Sequence, residues 1–273
     1  MTRDLQSTFK LGYSYSALRE HDISAPLYAP NDSHMVVVGG SGSGKSTAML
    51  YWLNNIRKRE VSLYICDFKK SHEFEGITES YAEFEDCFSL IKEFYEDFLN
   101  TPEGGEDRTK ILIIDEVAGL LTHLSMTKEG KGKADEVRQI LSTILMLGRS
   151  RRCFLWLSMQ RYTATIFPAS SGAGDNFHVA VGLGRLTVDG RRGLFGGEEL
   201  KDEESYQFGQ GSGLLLMDGK PLKALILPRL SKKSLLGTLR AQHRYHLSMS
   251  SKLTQSSITA GGGEASSVGV PEA

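Results

Sequence analysis

Residues Gly39, Gly40, Ser41, Gly42, Ser43, Gly44, Lys45, Ser46 and Thr47 spell G-x-x-x-x-G-K-[ST], and what flanks them restricts the fold more than any other feature. His34-Met35-Val36-Val37-Val38 before them reads as a buried strand, and Ala48–Ile56 after them as a helix. A strand, a glycine-rich turn and a helix make a phosphate-binding loop. Glycines let backbone N–H groups turn inward around an anion where a Cβ would obstruct. The helix opening at Lys45 directs the positive end of its dipole at the same place. Lys45 can reach β- and γ-phosphates, and the Ser46 hydroxyl suits Mg²⁺. The nine residues are therefore expected to bind ATP.

The rest of the chain supplies a sheet for this loop. Val61–Cys66 is a short β-type run ending at Asp67, and Ile111-Leu112-Ile113-Ile114 is a continuous apolar run typical of a parallel strand covered on both faces. Cys153–Leu157, Phe177–Val181, Gly213–Met217 and Leu222–Leu227 are further strand expectations, the last two joined as a hairpin by Asp218-Gly219-Lys220-Pro221. Helical spacing of apolar residues predicts helices over 82–99 and 135–148, with a polar loop over 126–134. Strands alternating with helices predict an α/β fold with a mostly parallel sheet and flanking helices. The expected domains are an extended N-terminal lead-in (1–33), an ATPase core (34–230), a basic helix (231–254) and a Gly/Ser/Ala-rich disordered tail (255–273).

Hydrolysis needs more than a P-loop. Asp115-Glu116, at the end of the run Ile111–Ile114, supplies an acid to hold Mg²⁺ with Ser46 and a second acid, Glu116, to polarise the attacking water. That pair argues for ATP hydrolysis over a kinase. Gln160, closing the strand from Phe154, is placed to touch the γ-phosphate or its water.

Charge is segregated. Residues 73–107 hold twelve carboxylates against the single base Lys92, while 137–174 and 219–252 contain no carboxylate and together carry thirteen Lys or Arg. Such runs are either solvated faces or footprints for a polyanion. Three scattered cysteines give no disulfide framework or metal pattern, which suits a reducing cytosol. No window approaches a transmembrane helix and no signal-peptide core is seen, so a cytoplasmic location is expected, with any membrane association through a partner.

Taken in order, Gly39–Thr47, Tyr64–Lys69, Ile111–Glu116, Gly148–Arg152 and Leu157–Arg161 resemble the FtsK/SpoIIIE-type DNA translocases of the FtsK–HerA group, which includes the coupling ATPases of conjugation. Gly193–Gly197 and Gly209–Leu215 look like that family's end region. The resemblance implies a RecA-like core, a ring, usually hexameric, and ATP-driven movement of double-stranded DNA. It makes Gln160 a sensor and Arg149 an arginine reaching a neighbour's ATP, with Arg151 and Arg152 as alternatives for that role. Without a membrane anchor or a winged-helix domain in the sequence, a motor of a mobile element is expected, docked on a separate membrane or relaxase partner. A protein-translocating secretion ATPase of the same group, and a nucleotide-gated adaptor without motor activity, are the alternative readings.

Overall fold

The computed structural model describes residues 7–56, 61–104, 108–169, 171–200 and 207–245. Ten strands form one sheet in the order β2-β1-β10-β9-β8-β3-β7-β6-β4-β5. Six of them run parallel: β5 (Tyr81–Glu83), β4 (Val61–Asp67), β6 (Thr109–Asp115), β7 (Cys153–Met159), β3 (Met35–Val38) and β8 (Val179–Leu183). The other four continue the sheet antiparallel: β9 (Ser212–Met217), β10 (Lys223–Ile226), β1 (Thr8–Ser14) and β2 (Pro26–Pro30). Prolines at both ends of edge strand β2 fit a strand with one side free of ladder partners.

The continuous apolar runs are explained by two cores, one on each face. Along β3, Val36 and Val38 enter one core while Met35 and Val37 enter the other; along β6, Leu112 and Ile114 split from Ile111 and Ile113 in the same way. Helices α3 (Cys87–Asn100), α4 (Val117–Leu124) and α5 (Lys128–Leu147) cover the first face, with α6 (Val188–Phe195). The P-loop helix α2 (Lys45–Ile56) and a helix over 232–245, α7, cover the second. The expected mostly parallel α/β sheet and late hairpin are both present.

Four sequence expectations are corrected. The segment expected as an extended lead-in is built into the sheet: β1 pairs with β10, the helix α1 (Tyr15–His21) follows, and α2 is tied to β1 by Trp52 Nε1–H to Leu11 O (2.8 Å) and Asn55 Nδ2 to Lys10 O (3.0 Å). Its polar turn residues conceal alternation, buried Phe9, Leu11, Leu27 and Ala29 all joining one core. The expected loop 126–134 is largely the first two turns of α5, capped by Thr127, whose side chain accepts from the Gly130 N–H (3.0 Å). Gly130 allows this helix to pass against Leu124 O, which a Cβ would strike at 2.0 Å. The expected helix 82–99 begins only at Cys87, its first residues serving as β5 and a 3₁₀ turn. The strand expected at 177–181 runs from Val179 to Leu183. The tail 255–273 and the end of the basic helix, 246–254, lie outside the described residues.

Candidate nucleotide site

The P-loop emerges from β3 at the edge where all six parallel strands end. Gly42 (φ 77°) and Gly44 (φ 101°) adopt left-handed backbone that L side chains rarely take, so the turn depends on them. Gly39 is demanded by contact: an added Cβ would lie 2.5 Å from Leu183 O. The loop is buttressed from the sheet's antiparallel half, where the Gly211 N–H donates to Ser43 O (2.9 Å). This is the structural use of the glycine-rich segment 209–215. Lys45 is buried, and its ammonium folds back onto the loop carbonyls of Gly39 (2.6 Å) and Gly40 (3.4 Å). Burial lowers its pKa against the opposing charges of Glu116 and Asp115, with Lys69 lowering it further. A loop whose lysine turns to its own carbonyls is poised to exchange them for phosphate oxygens.

Asp115 ends β6, yet β6 is not the neighbour of β3. Strand β7 lies between them, which separates the two by about 10 Å at the usual interstrand spacing. Ser158 on β7 holds the acid pair: its Oγ–H donates to Asp115 Oδ1 (2.5 Å), and its Oγ accepts from the Glu116 N–H (3.4 Å). Asp115 is almost fully buried, and burial raises its pKa; Ser158 and Lys69 pull it back.

Glu116 is a non-glycine residue in the left-handed region (φ 62°), at the start of α4. Strain of this kind persists where the surroundings over-determine it. Here they do: Oε1 accepts from the Gln160 N–H (3.2 Å) and Oε2 pairs with Lys69 Nζ (2.5 Å). The pair raises the Lys69 pKa despite opposing desolvation. Thus Gln160 meets Glu116 through its backbone, while its side chain is exposed.

Lys69, Ser158 and Asp67 were not singled out in the sequence. Lys69 and Ser158 lay inside segments that carried the family resemblance, but nothing in their spacing revealed their partners. Asp67 is fully buried at the end of β4, in register with Asp115.

Arg149 is elsewhere. It sits in a 3₁₀ turn (Gly148–Arg151) before β7, at the strand end opposite the P-loop, about 20 Å away at the rise of a seven-residue strand. The three arginines there differ. Arg151 bonds Thr101 O (2.7 Å), Leu99 O (3.2 Å) and Glu103 (3.1 Å), and lies over the Phe98 ring. Arg152 donates to Thr109 Oγ1 (2.8 Å). The guanidinium of exposed Arg149 has no such partner among the described residues.

Mg²⁺ fits this donor set. The cation takes few protein ligands and keeps several waters, so the Ser46 hydroxyl and the Asp115 carboxylate suffice beside a triphosphate. Among the described residues no cluster of three or more His, Cys, Asp or Glu is arranged as a metal cage.

A P-loop beside an acid pair on this mostly parallel sheet is the RecA-like fold, and the solved structures that share it include secretion ATPases and a conjugation coupling protein. The cytoplasmic domain of the Thermomonospora curvata type VII secretion ATPase EccC matches with a TM-score of 0.61 at 17% identity, over 87% of this chain and 31% of that one. EssC (ATPases 2 and 3) from Geobacillus thermodenitrificans matches at 0.62 and 15%, over 88% and 48%. The pCW3 conjugation coupling protein TcpA, a monomer form with ATPγS, matches at 0.61 and 18%, over 85% and 70%. The chain thus spans about a third to a half of the secretion ATPase structures it matches. No protein-family model matches the chain, and no curated protein matches it in sequence. Among the described residues, no helix is long and apolar enough to cross a membrane.

Proposed function

We propose that this chain is the ATP-hydrolysing motor subunit of a translocase that moves double-stranded DNA through a homo-oligomeric ring. The observation that supports the hydrolytic part of this reading is the position of Glu116: a buried, strained carboxylate held by Lys69 and the Gln160 N–H, across one strand from the P-loop. A structural acid at a turn needs none of this.

Each residue then has a part. The N–H groups of residues 39–47 and Lys45 hold the phosphates, and bound Mg²⁺, held by Ser46 and Asp115, would neutralise charge on the β- and γ-oxygens. Glu116 orients a water and takes its proton. Lys69 neutralises Glu116 until nucleotide arrives. Gln160 ties β7 to Glu116, so a shift of the carboxylate reaches the strand. Arg149, being uncommitted, is the arginine we assign to a neighbouring subunit's site.

Support for a DNA cargo comes from the basic residues that internal pairing leaves over. Lys232 pairs with Glu73 and Arg240 with Glu75, so the basic helix is partly spent on the acidic belt. Exposed Arg149, Arg161, Lys220, Lys223, Arg229 and Lys233 face no carboxylate within salt-bridge distance among the described residues. Exposed cations without partners bind phosphate by releasing counterions.

A protein cargo is the second reading. It is favoured by the secretion ATPases among the structural relatives, one of them solved in complex with a signal sequence peptide (TM-score 0.58). Phosphate release with and without long duplex DNA separates the two. The DNA motor is expected to be stimulated, to lose stimulation steeply between low and physiological salt, and to lose all activity in Lys45→Ala. Turnover indifferent to duplex DNA at low salt removes the DNA cargo.

A further inference from the structure

Three consecutive residues at the end of β7 join the P-loop to the acid pair. Met159 O accepts from the Gly39 N–H (3.2 Å), the Gln160 N–H donates to Glu116 Oε1 (3.2 Å), and Ser158 bonds residues 115 and 116. Ser158 is the one hydroxyl in a strand otherwise made of Cys, Phe, Leu, Trp and Met, and it is fully buried. A buried hydroxyl costs free energy unless it is hydrogen-bonded. Alternation explains which partners it finds. Phe154 and Trp156 of β7, like Ile111 and Ile113 of β6, enter the core beneath the P-loop helix α2. Ser158 and Asp115 continue those two rows on the same face, one step beyond the paired residues Leu157 and Ile114.

An aspartate carboxylate turns easily about its terminal bond, so burial alone does not choose which oxygen faces the nucleotide. Here the Ser158 Oγ–H makes the choice by donating to Oδ1 (2.5 Å). Among the described residues Oδ1 is the hydrogen-bonded oxygen of Asp115, which leaves Oδ2 for a cation. The Ser158 oxygen accepts in turn from the N–H of Glu116 (3.4 Å), the residue held in left-handed backbone (φ 62°). One hydroxyl thus fixes the carboxylate assigned to Mg²⁺ and steadies the backbone of the acid assigned to water.

Hydrogen-bond partners of ligating carboxylates are worth about 10–100-fold in metal affinity. Resting on the assignment of Asp115 to Mg²⁺ in the proposed function, we propose that Ser158 is a positioning residue whose hydroxyl orients Asp115 for the cation. The same strand end carries the contacts to Gly39 and Glu116, so the metal ligand, the phosphate loop and the base are aligned by one short stretch of backbone.

The test is the Mg²⁺ concentration needed for half-maximal binding of a fluorescent ATP analogue, alongside binding in EDTA. Ser158→Ala is expected to raise that concentration about 10-fold or more and to leave binding in EDTA unchanged, because the P-loop contacts remain. In an Asp115→Ala background the same change is expected to have no further effect, which a general loosening of the fold would not reproduce. Ser158→Cys, which puts a weaker donor in the same place, is expected to shift the requirement in the same direction by about threefold or more, and it decides the matter if Ser158→Ala does not fold. A requirement within about twofold of wild type in the folded variant, an equal loss in EDTA, or an equal shift in both backgrounds overturns the proposal. Wild-type binding that ignores Mg²⁺ removes the assignment of Asp115 on which the proposal rests. Wild-type protein that binds no nucleotide at all would overturn the nucleotide site itself, a separate result.

Discussion

Replacing Glu116 by glutamine separates catalysis from folding and binding. The amide keeps the shape and still accepts from the Gln160 N–H, but it cannot take a proton from water. Loss of a general base costs about 10²–10⁴-fold in rate, so phosphate release at saturating ATP is expected to fall into that range. Stability is expected to change little. The only pairing lost is that with Lys69, whose side chain is 38% exposed, and such a pair contributes at most ~1 kcal/mol after solvent screening. For a domain of this size that moves the melting temperature by roughly 2–4 °C. Affinity for a fluorescent ATP analogue is expected to hold, because the phosphates are held by the P-loop. Two assays suffice: phosphate release with duplex DNA present, and analogue binding followed by fluorescence. Hydrolysis within about threefold of wild type, in a variant that binds nucleotide normally, would refute the assignment of a base. It would favour a nucleotide-gated adaptor in which ATP binding alone orders an interface.

Two further predictions concern assembly and pH. Arg149→Ala and Glu116→Gln are each expected to be inactive alone, yet mixing them should restore phosphate release, because some interfaces then join an intact Arg149 to an intact Glu116; no recovery on mixing counts against a site shared between subunits. His34 is buried and stacked on His178 (centroids 5.5 Å apart), its Nδ1 accepting from the Leu155 N–H (3.0 Å), and burial, with the His178 charge, pushes its pKa down to about 3. The unfolded chain therefore binds a proton that the native state refuses, so His34 leaves full stability above pH ~6.5 and removes it as pH falls toward 3, by up to ~1.4 kcal/mol per pH unit. His34→Asn, which retains an acceptor for Leu155, is expected to flatten that slope in denaturant titrations between pH 7 and 4; an unchanged slope refutes it.

Much of this was legible in the sequence because it is local. The P-loop could be read because glycine is required where backbone must turn left-handed or approach an anion, and the sheet core because buried parallel strands are apolar on both faces. Asp115-Glu116 stood out by following such a strand. What could not be read depends on partners distant in the chain. The strands β1 and β2 look like a polar lead-in until β10 and Trp52 are beside them. The arginines 149, 151 and 152 are equivalent as letters, and only packing shows that two are spent on carbonyls, a carboxylate and a hydroxyl. The opposed charge runs suggested a polyanion surface, yet Glu73 and Glu75 take up part of the basic helix.

The sequence by itself determined that a triphosphate-binding loop opens a helix after a buried strand, since that depends on backbone conformation and polarity over a dozen consecutive residues. Only the tertiary structure decided which acid meets which base. Lys69 reaches Glu116 and Ser158 reaches Asp115 because strand order sets β4, β6 and β7 side by side at one edge. Hydrogen bonds and ion pairs act over a few ångströms of space and are indifferent to how many residues separate the partners along the chain.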